Sequence, residues 1–120
     1  MESEIHIIPE YAEGLDGIEG YSHIMVVHWL DRVDKVKLKM RPQGKPDVPD
    51  VGIFACRCPS RPTPLAITTC KLLGRQGNIL SVKGLDAIDG SPVIDIKPCW
   101  PQYDLIEDAK YPAWVDKLEF

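Results

Sequence analysis

Proline and glycine set the scale of what this chain can build, because 11 prolines and 9 glycines divide its 120 residues into short runs. Proline fixes φ and removes a backbone donor, so it ends helices and interior strands, while glycine marks turns. The runs between these breaks are rich in β-branched residues and read as strands: Glu4–Ile8, Ser22–Leu30, Lys35–Met40, Val51–Cys56, Ala66–Leu73, Asn78–Lys83 and Pro92–Ile96. Lys35-Val36-Lys37-Leu38-Lys39-Met40 alternates strictly, which predicts one wet face and one buried face. Ser22–Leu30 is apolar at both parities, which predicts a central strand covered on each side. Gly74-Arg75-Gln76-Gly77-Asn78 predicts a hairpin turn, and the proline-rich stretch Arg41–Asp50 a surface excursion. Helix is scarce. Tyr11–Leu15 predicts a single turn, and Asp108–Leu118 a short helix with Pro112 in its first turn. The expected fold is all-β, a small closed or partly open β-barrel with one or two short helices.

At 120 residues the chain is read as one domain, 1–120, with a single core. Its 44% hydrophobic and 27% charged residues are those of a globular chain. No apolar run approaches the ~20 residues of a membrane span. The start, Met1-Glu2-Ser3-Glu4, is acidic and unlike a secretory signal, so a cytoplasmic location is expected. Four cysteines (Cys56, Cys58, Cys70 and Cys99) show no Cys-x-x-Cys spacing and no histidine pairing, which favours reduced structural cysteines over a metal site. A net charge of −4 argues against general nucleic-acid binding, yet residues 32–45 carry Arg32, Lys35, Lys37, Lys39, Arg41 and Lys45 against one acid, Asp34. That stretch reads either as a solvated strand face or as a phosphate-contacting patch.

The residues with chemical potential fall in two segments. In Phe54–Pro64, Arg57 and Arg61 sit on a loop stiffened by Pro59, Pro62 and Pro64, suited to holding an anionic or polar ligand. In Leu85–Pro98, Asp86, Asp89 and Asp95 flank a glycine turn. Asp89 reads as a turn cap. Asp95 interrupts the apolar run Val93-Ile94-Asp95-Ile96 on the face of Val93, so its carboxylate needs a partner: Lys97, Arg57, Arg61 or a polar ligand. His23 and His28 read as core histidines rather than bases. Ser60 and Ser91 lack triad partners, and there is no phosphate loop, dinucleotide fingerprint or zinc motif.

Three segments taken together (Tyr11-Ala12-Glu13-Gly14-Leu15-Asp16-Gly17-Ile18-Glu19-Gly20-Tyr21-Ser22-His23, the arginine–proline loop, and Leu85–Pro98) resemble the TsaA-like (TrmO) family, in the family's order, from Ile5 to Asp104. The resemblance implies a small β-barrel methyltransferase that works as a homodimer on S-adenosylmethionine. It further implies methyl transfer to N6 of threonylcarbamoyladenosine beside the anticodon of tRNA. By the same resemblance the cofactor is met by Asp31, Arg32, Arg57, Ile67, Gly84, Leu85 and Asp86. Arg61, with the basic stretch, is placed to meet tRNA phosphate or the substrate carboxylate, and Asp95 and Lys97 complete the expected substrate contacts. No catalytic nucleophile and no metal are implied, because a sulfonium is already an activated donor and the protein mainly aligns the reacting atoms.

The chain departs from the family pattern in three places. It starts after a strand and a Pro-Arg-Gln segment that members usually carry, so an N-terminal barrel strand is expected to be lacking. Thr63 and Ala66 stand where members have asparagine and glycine, and Cys56 and Cys58 replace small hydroxyl residues. These changes leave room for a second reading, a relative that binds S-adenosylmethionine or a partner without turnover. A third reading is a cysteine-containing metal-binding module.

Overall fold

A computed structural model of the chain describes residues 1–30 and 34–120. Seven strands follow one another in the expected order: β1 (Glu2–His6), β2 (His23–Trp29), β3 (Lys39–Met40), β4 (Val51–Gly52), β5 (Leu65–Gln76), β6 (Ile79–Lys83) and β7 (Val93–Pro98). Five of them make one antiparallel sheet in the order β1-β6-β5-β2-β7, and β3 pairs with β4 apart from it. The hairpin falls where the glycines place it: Gln76 faces Ile79 across a two-residue turn in which Gly77 holds φ at 63°. Among the described residues β1 pairs only with β6 and β7 only with β2, so the sheet stays open; of the expected closed or partly open barrel, no closed form is found. Closure requires the two edge strands to meet at a common tilt and stagger. The Cα radius of gyration, 16.2 Å, exceeds the ~14 Å of a compact chain this long, as an open sheet with an extended tail requires.

The core lies on one face of the sheet. Ile5, Ile24, Val26, Cys70, Leu72, Leu80 and Val82 point to that face and are buried, and Leu15 closes over them from the 3-10 turn Pro9–Leu15. Period-two alternation explains which residues these are: Ile24, Val26 and His28 share one parity of β2, and Met25, Val27 and Trp29 the other. The second parity is half-buried or, at Trp29, 36% exposed. Ser22–Leu30 is therefore central in the sheet but covered on one side only.

Three other expectations are corrected. Of Lys35–Met40 only Lys39–Met40 forms a strand, and Val36 and Leu38 are 56% and 75% exposed. The alternation is real, yet Val36 and Leu38 stay exposed among the described residues, and alternation alone cannot hold a strand. Val51–Cys56 pairs only at Val51–Gly52 before turning into a 3-10 turn, Ile53–Ala55. At the C-terminal end, Pro112 precedes a 3-10 turn at Ala113–Lys117 in place of the longer helix, and a single α-turn, Pro101–Asp104, appears that the sequence did not signal. The tail folds back on the proline-rich loop. Gln43 exchanges hydrogen bonds with the Glu119 backbone, and Lys45 pairs with Glu119 at 3.2 Å. No helix among the described residues is long and apolar enough to cross a membrane.

Arg75 ties the cap to the sheet. Its Nη1 meets Asp16 Oδ1 at 3.1 Å, its Nη2 donates to the Ala12 carbonyl at 3.1 Å, and its Nε donates to the Gly77 carbonyl at 2.7 Å. The Arg75 side chain is 16% exposed and Asp16 69%, so the part-buried bond to the Ala12 carbonyl is the one whose loss costs most. Arg75→Ala is expected to lower unfolding free energy by about 2 kcal/mol, read from urea midpoints. Lys in its place should recover only part of that, because one ammonium cannot span the three directions.

Candidate functional site

The loop that carries Arg57 and Arg61 leads directly into β5. It is anchored at its end by Leu30, whose N–H donates to the Pro64 carbonyl at 2.7 Å, and midway by Lys37, whose N–H donates to the Ser60 carbonyl. Arg61 is turned inward onto its own loop. Its Nη1 donates to the Cys56 carbonyl at 2.7 Å and the Cys58 carbonyl at 3.4 Å, and its guanidinium lies 5.8 Å from the Phe54 ring centroid. Arg57 projects outward and is exposed, with no hydrogen bond or ion pair to another described residue. One arginine thus shapes the loop and the other is presented by it.

Beyond the loop, strand register brings several expected residues onto the outer, uncored face of the sheet. Ile67 faces Val27 across the β5–β2 ladder, and Val27 faces Asp95 across the β2–β7 ladder, so the three form one row. The next row is Thr69, Met25 and Lys97, and Trp29 stands opposite Leu65 at the loop end. Ile67 is 57% exposed, which makes this an accessible apolar strip ending in a charged pair. Lys97 Nζ meets Asp95 Oδ2 at 2.9 Å, and the Ile96 N–H donates to Asp95 Oδ1 at 2.8 Å. The Lys97 hydrogen bond holds the Asp95 carboxyl below its ordinary range, and Asp95 in turn raises Lys97. Both stay charged at neutral pH.

Asp95 does not share a face with Val93, as simple alternation predicts. A β-bulge between Val27 and His28 inserts Ile94 as an extra residue, so Val93 and Ile96 pack toward the core while Asp95 turns outward. The remaining expected residues lie elsewhere. Gly84 turns at φ 89°, Leu85 packs against the core cluster, and Asp86 is exposed. Leu85 therefore belongs to the cored side of the sheet and Ile67 to the other. Asp31 and Arg32 lie outside the described residues. A cavity of about 330 Å³ opens between the Gly14–Ile18 turn, Tyr21 and the core side of β7, and none of the expected site residues lines it.

His28 is the polar group within the core. It is fully buried, its Nε2 bonds Thr68 Oγ1 at 3.1 Å, and its Nδ1 has no partner among the described residues. Its placement in an apolar run signalled burial, but not the unpaired nitrogen. Burial pushes the imidazole below its ordinary 6.5, with Asp86 pulling weakly the other way. Between the lowered folded value and 6.5, the unfolded chain binds a proton that the native state refuses. Stability is then full above 6.5 and declines as pH falls below it. Urea midpoints compared at about pH 7.5 and about pH 5.5 should drop on acidification, and His28→Gln should flatten that slope. Among the described residues no group of three or more His, Cys, Asp or Glu gathers as a metal site would require.

The fold and these residues define an all-β protein whose open sheet face carries an apolar strip and an ion pair beside an arginine-bearing loop. The chain belongs to the tRNA-methyltransferase O N-terminal domain family, whose model matches residues 1–105. It is 48% identical over 86% of its length to a Methanothermobacter thermautotrophicus protein named "Probable S-adenosyl-L-methionine-binding protein", of which it covers 73%. It is 44% identical over 90% of its length to an Archaeoglobus fulgidus S-adenosyl-L-methionine-binding protein, of which it covers 76%. Among solved structures, TrmO from Pseudomonas aeruginosa superposes with a TM-score of 0.76 at 26% identity over 93% of this chain. The chain spans 48% of that structure, about half its length.

Proposed function

We propose that this chain is an S-adenosylmethionine-dependent methyltransferase domain acting on N6 of threonylcarbamoyladenosine in tRNA, and that it works as a homodimer. The match to the tRNA-methyltransferase O family over residues 1–105 carries the reading. The relatives named as S-adenosylmethionine-binding proteins supply the cofactor class. The residues present fit such a ligand. The exposed Arg57 guanidinium suits a carboxylate, and the strip from Leu65 and Trp29 to Ile67 offers apolar surface to a nucleoside ring. Asp86, exposed next to Leu85, offers a carboxylate to a cationic group, whereas Asp95 is already paired with Lys97.

S-adenosylmethionine, when bound, would supply an already activated methyl group for transfer to the substrate nitrogen. What remains for the chain is alignment. Arg57 would anchor the ligand from the loop, while Gly84, Leu85 and Asp86 would hold it from the loop after β6. Lys97 would meet phosphate or the substrate carboxylate, a role Arg61 could share only by leaving its bonds to the Cys56 and Cys58 carbonyls. The apolar outer face, including Ile67 at 57% exposed, fits a second copy that completes the site.

Calorimetric titration with S-adenosylmethionine, followed by methyl transfer to tRNA bearing the threonylcarbamoyl group, tests this reading. No heat at high micromolar ligand would count decisively against it. Sedimentation that returned a monomer at working concentration would remove the homodimer. A second reading, binding without turnover, is favoured by two observations: the two archaeal relatives above are named as S-adenosylmethionine-binding proteins, and Thr63 and Ala66 alter the loop. Cofactor binding with no methylated product would select it.

A further inference from the structure

The Cys56 and Cys58 sulfurs lie 2.9 Å apart, and both thiols are free. Only Arg57 separates them in sequence. Arg61 holds the backbone on both sides through its bonds to the Cys56 and Cys58 carbonyls, and Pro59 stiffens the exit. The two sulfurs therefore meet because the loop is braced. Cys58 is 8% exposed, whereas Cys56 is half-buried and reachable. Cys70 is enclosed in the core cluster and so offers no competing partner.

We propose that Cys56 and Cys58 are a redox modification site, closing into a reversible intrachain disulfide by exchange with a low-molecular-weight disulfide. The Cys56 thiolate attacks one sulfur of the small disulfide, forming a mixed disulfide and expelling one thiolate, which takes up a proton. Cys58 then gives up its proton and attacks the Cys56 sulfur, so the protein disulfide forms as the mixed one breaks and a second small thiol leaves. Two cysteine thiols are oxidised, one small disulfide is reduced, and the two protein protons end on the released thiols. Burial and the neighbouring Cys56 push the Cys58 thiol up to about 11, which makes Cys56 the point of entry and the second step the slow one. A disulfide closed across a single residue is strained, and strained disulfides are the readily reversed ones. Arg57 sits at the apex of that ring. Its bearing on the cofactor rests on the function proposed above.

The full chain, reduced and then equilibrated with graded ratios of oxidised to reduced glutathione, gives the test by intact mass and peptide mapping. The expected product is lighter by two hydrogens, carries no glutathione, maps to Cys56–Cys58 and reverts with dithiothreitol. Cys58→Ser should stop at a glutathione adduct on Cys56, and Cys56→Ser should form neither product. A wild-type chain that stops at the adduct, reacts only at Cys99, or stays fully reduced under oxidising ratios would overturn the proposal. Titrating both redox forms with S-adenosylmethionine reads the consequence: the oxidised form should bind about tenfold more weakly. Equal affinities would overturn the link to Arg57. Failure of the reduced form to bind at all would refute the cofactor reading, while the mass result still decides the disulfide.

Discussion

Leu80→Ala should lower the unfolding free energy by about 2–5 kcal/mol, a large share of the ~5–15 kcal/mol that holds a domain together. Leu80 is fully buried on β6, between Ile5 on β1 and Arg75 on β5, so its side chain lies at the centre of the core cluster of the described residues. Ile24→Ala, at an equally buried position in β2, should behave alike. The matched control is Ile94→Ala, at a residue 54% exposed on the other side, for which the change should stay within about 0.5 kcal/mol. Urea denaturation of the three variants measures how one-sided the core is. Comparable losses at Leu80 and Ile94 would mean that the outer face is packed in solution.

Arg57→Ala should weaken S-adenosylmethionine binding by about ten- to hundredfold, the range of a charged hydrogen bond worth about 1.5–3 kcal/mol. Because Arg57 makes no hydrogen bond or ion pair to another described residue, the same substitution should leave the urea midpoint where it was. Arg57→Lys should restore little, since an ammonium cannot reproduce a bidentate grip on a carboxylate. Arg61→Ala gives the contrast. It removes the brace on the Cys56 and Cys58 carbonyls, so it should loosen the loop and affect both stability and binding. Calorimetry and denaturation run side by side separate the two arginines, and normal ligand affinity in Arg57→Ala would remove that residue from the site.

Most of the fold was legible because its signal is local. Seven β-branched runs bounded by glycine and proline became seven strands in the same order, and Gly77 turned where a hairpin glycine should. The failures share a cause. Whether an alternating run such as Lys35–Met40 becomes a full strand depends on a facing layer, and whether edge strands meet depends on the whole sheet; neither is written in a window of ten residues. The site divides in the same way. Residue chemistry singled out Arg57, Asp95 and Lys97, but the row that joins Ile67, Val27 and Asp95 comes from pairing between distant segments. The inward turn of Arg61 depends on carbonyls whose positions only the folded loop fixes.

The irregularity at Ile94 has a bearing on how this strand tolerates change. Val93 and Asp95 already face opposite ways with Ile94 between them, so Ile94 is a spare residue in the count of inward and outward positions. Deleting it would straighten β7 while leaving Val93 inside and the carboxylate outside. Deletion of almost any other single residue in a two-sided strand exchanges its two faces. At Ile94 the chain can change length without changing which side each neighbour serves.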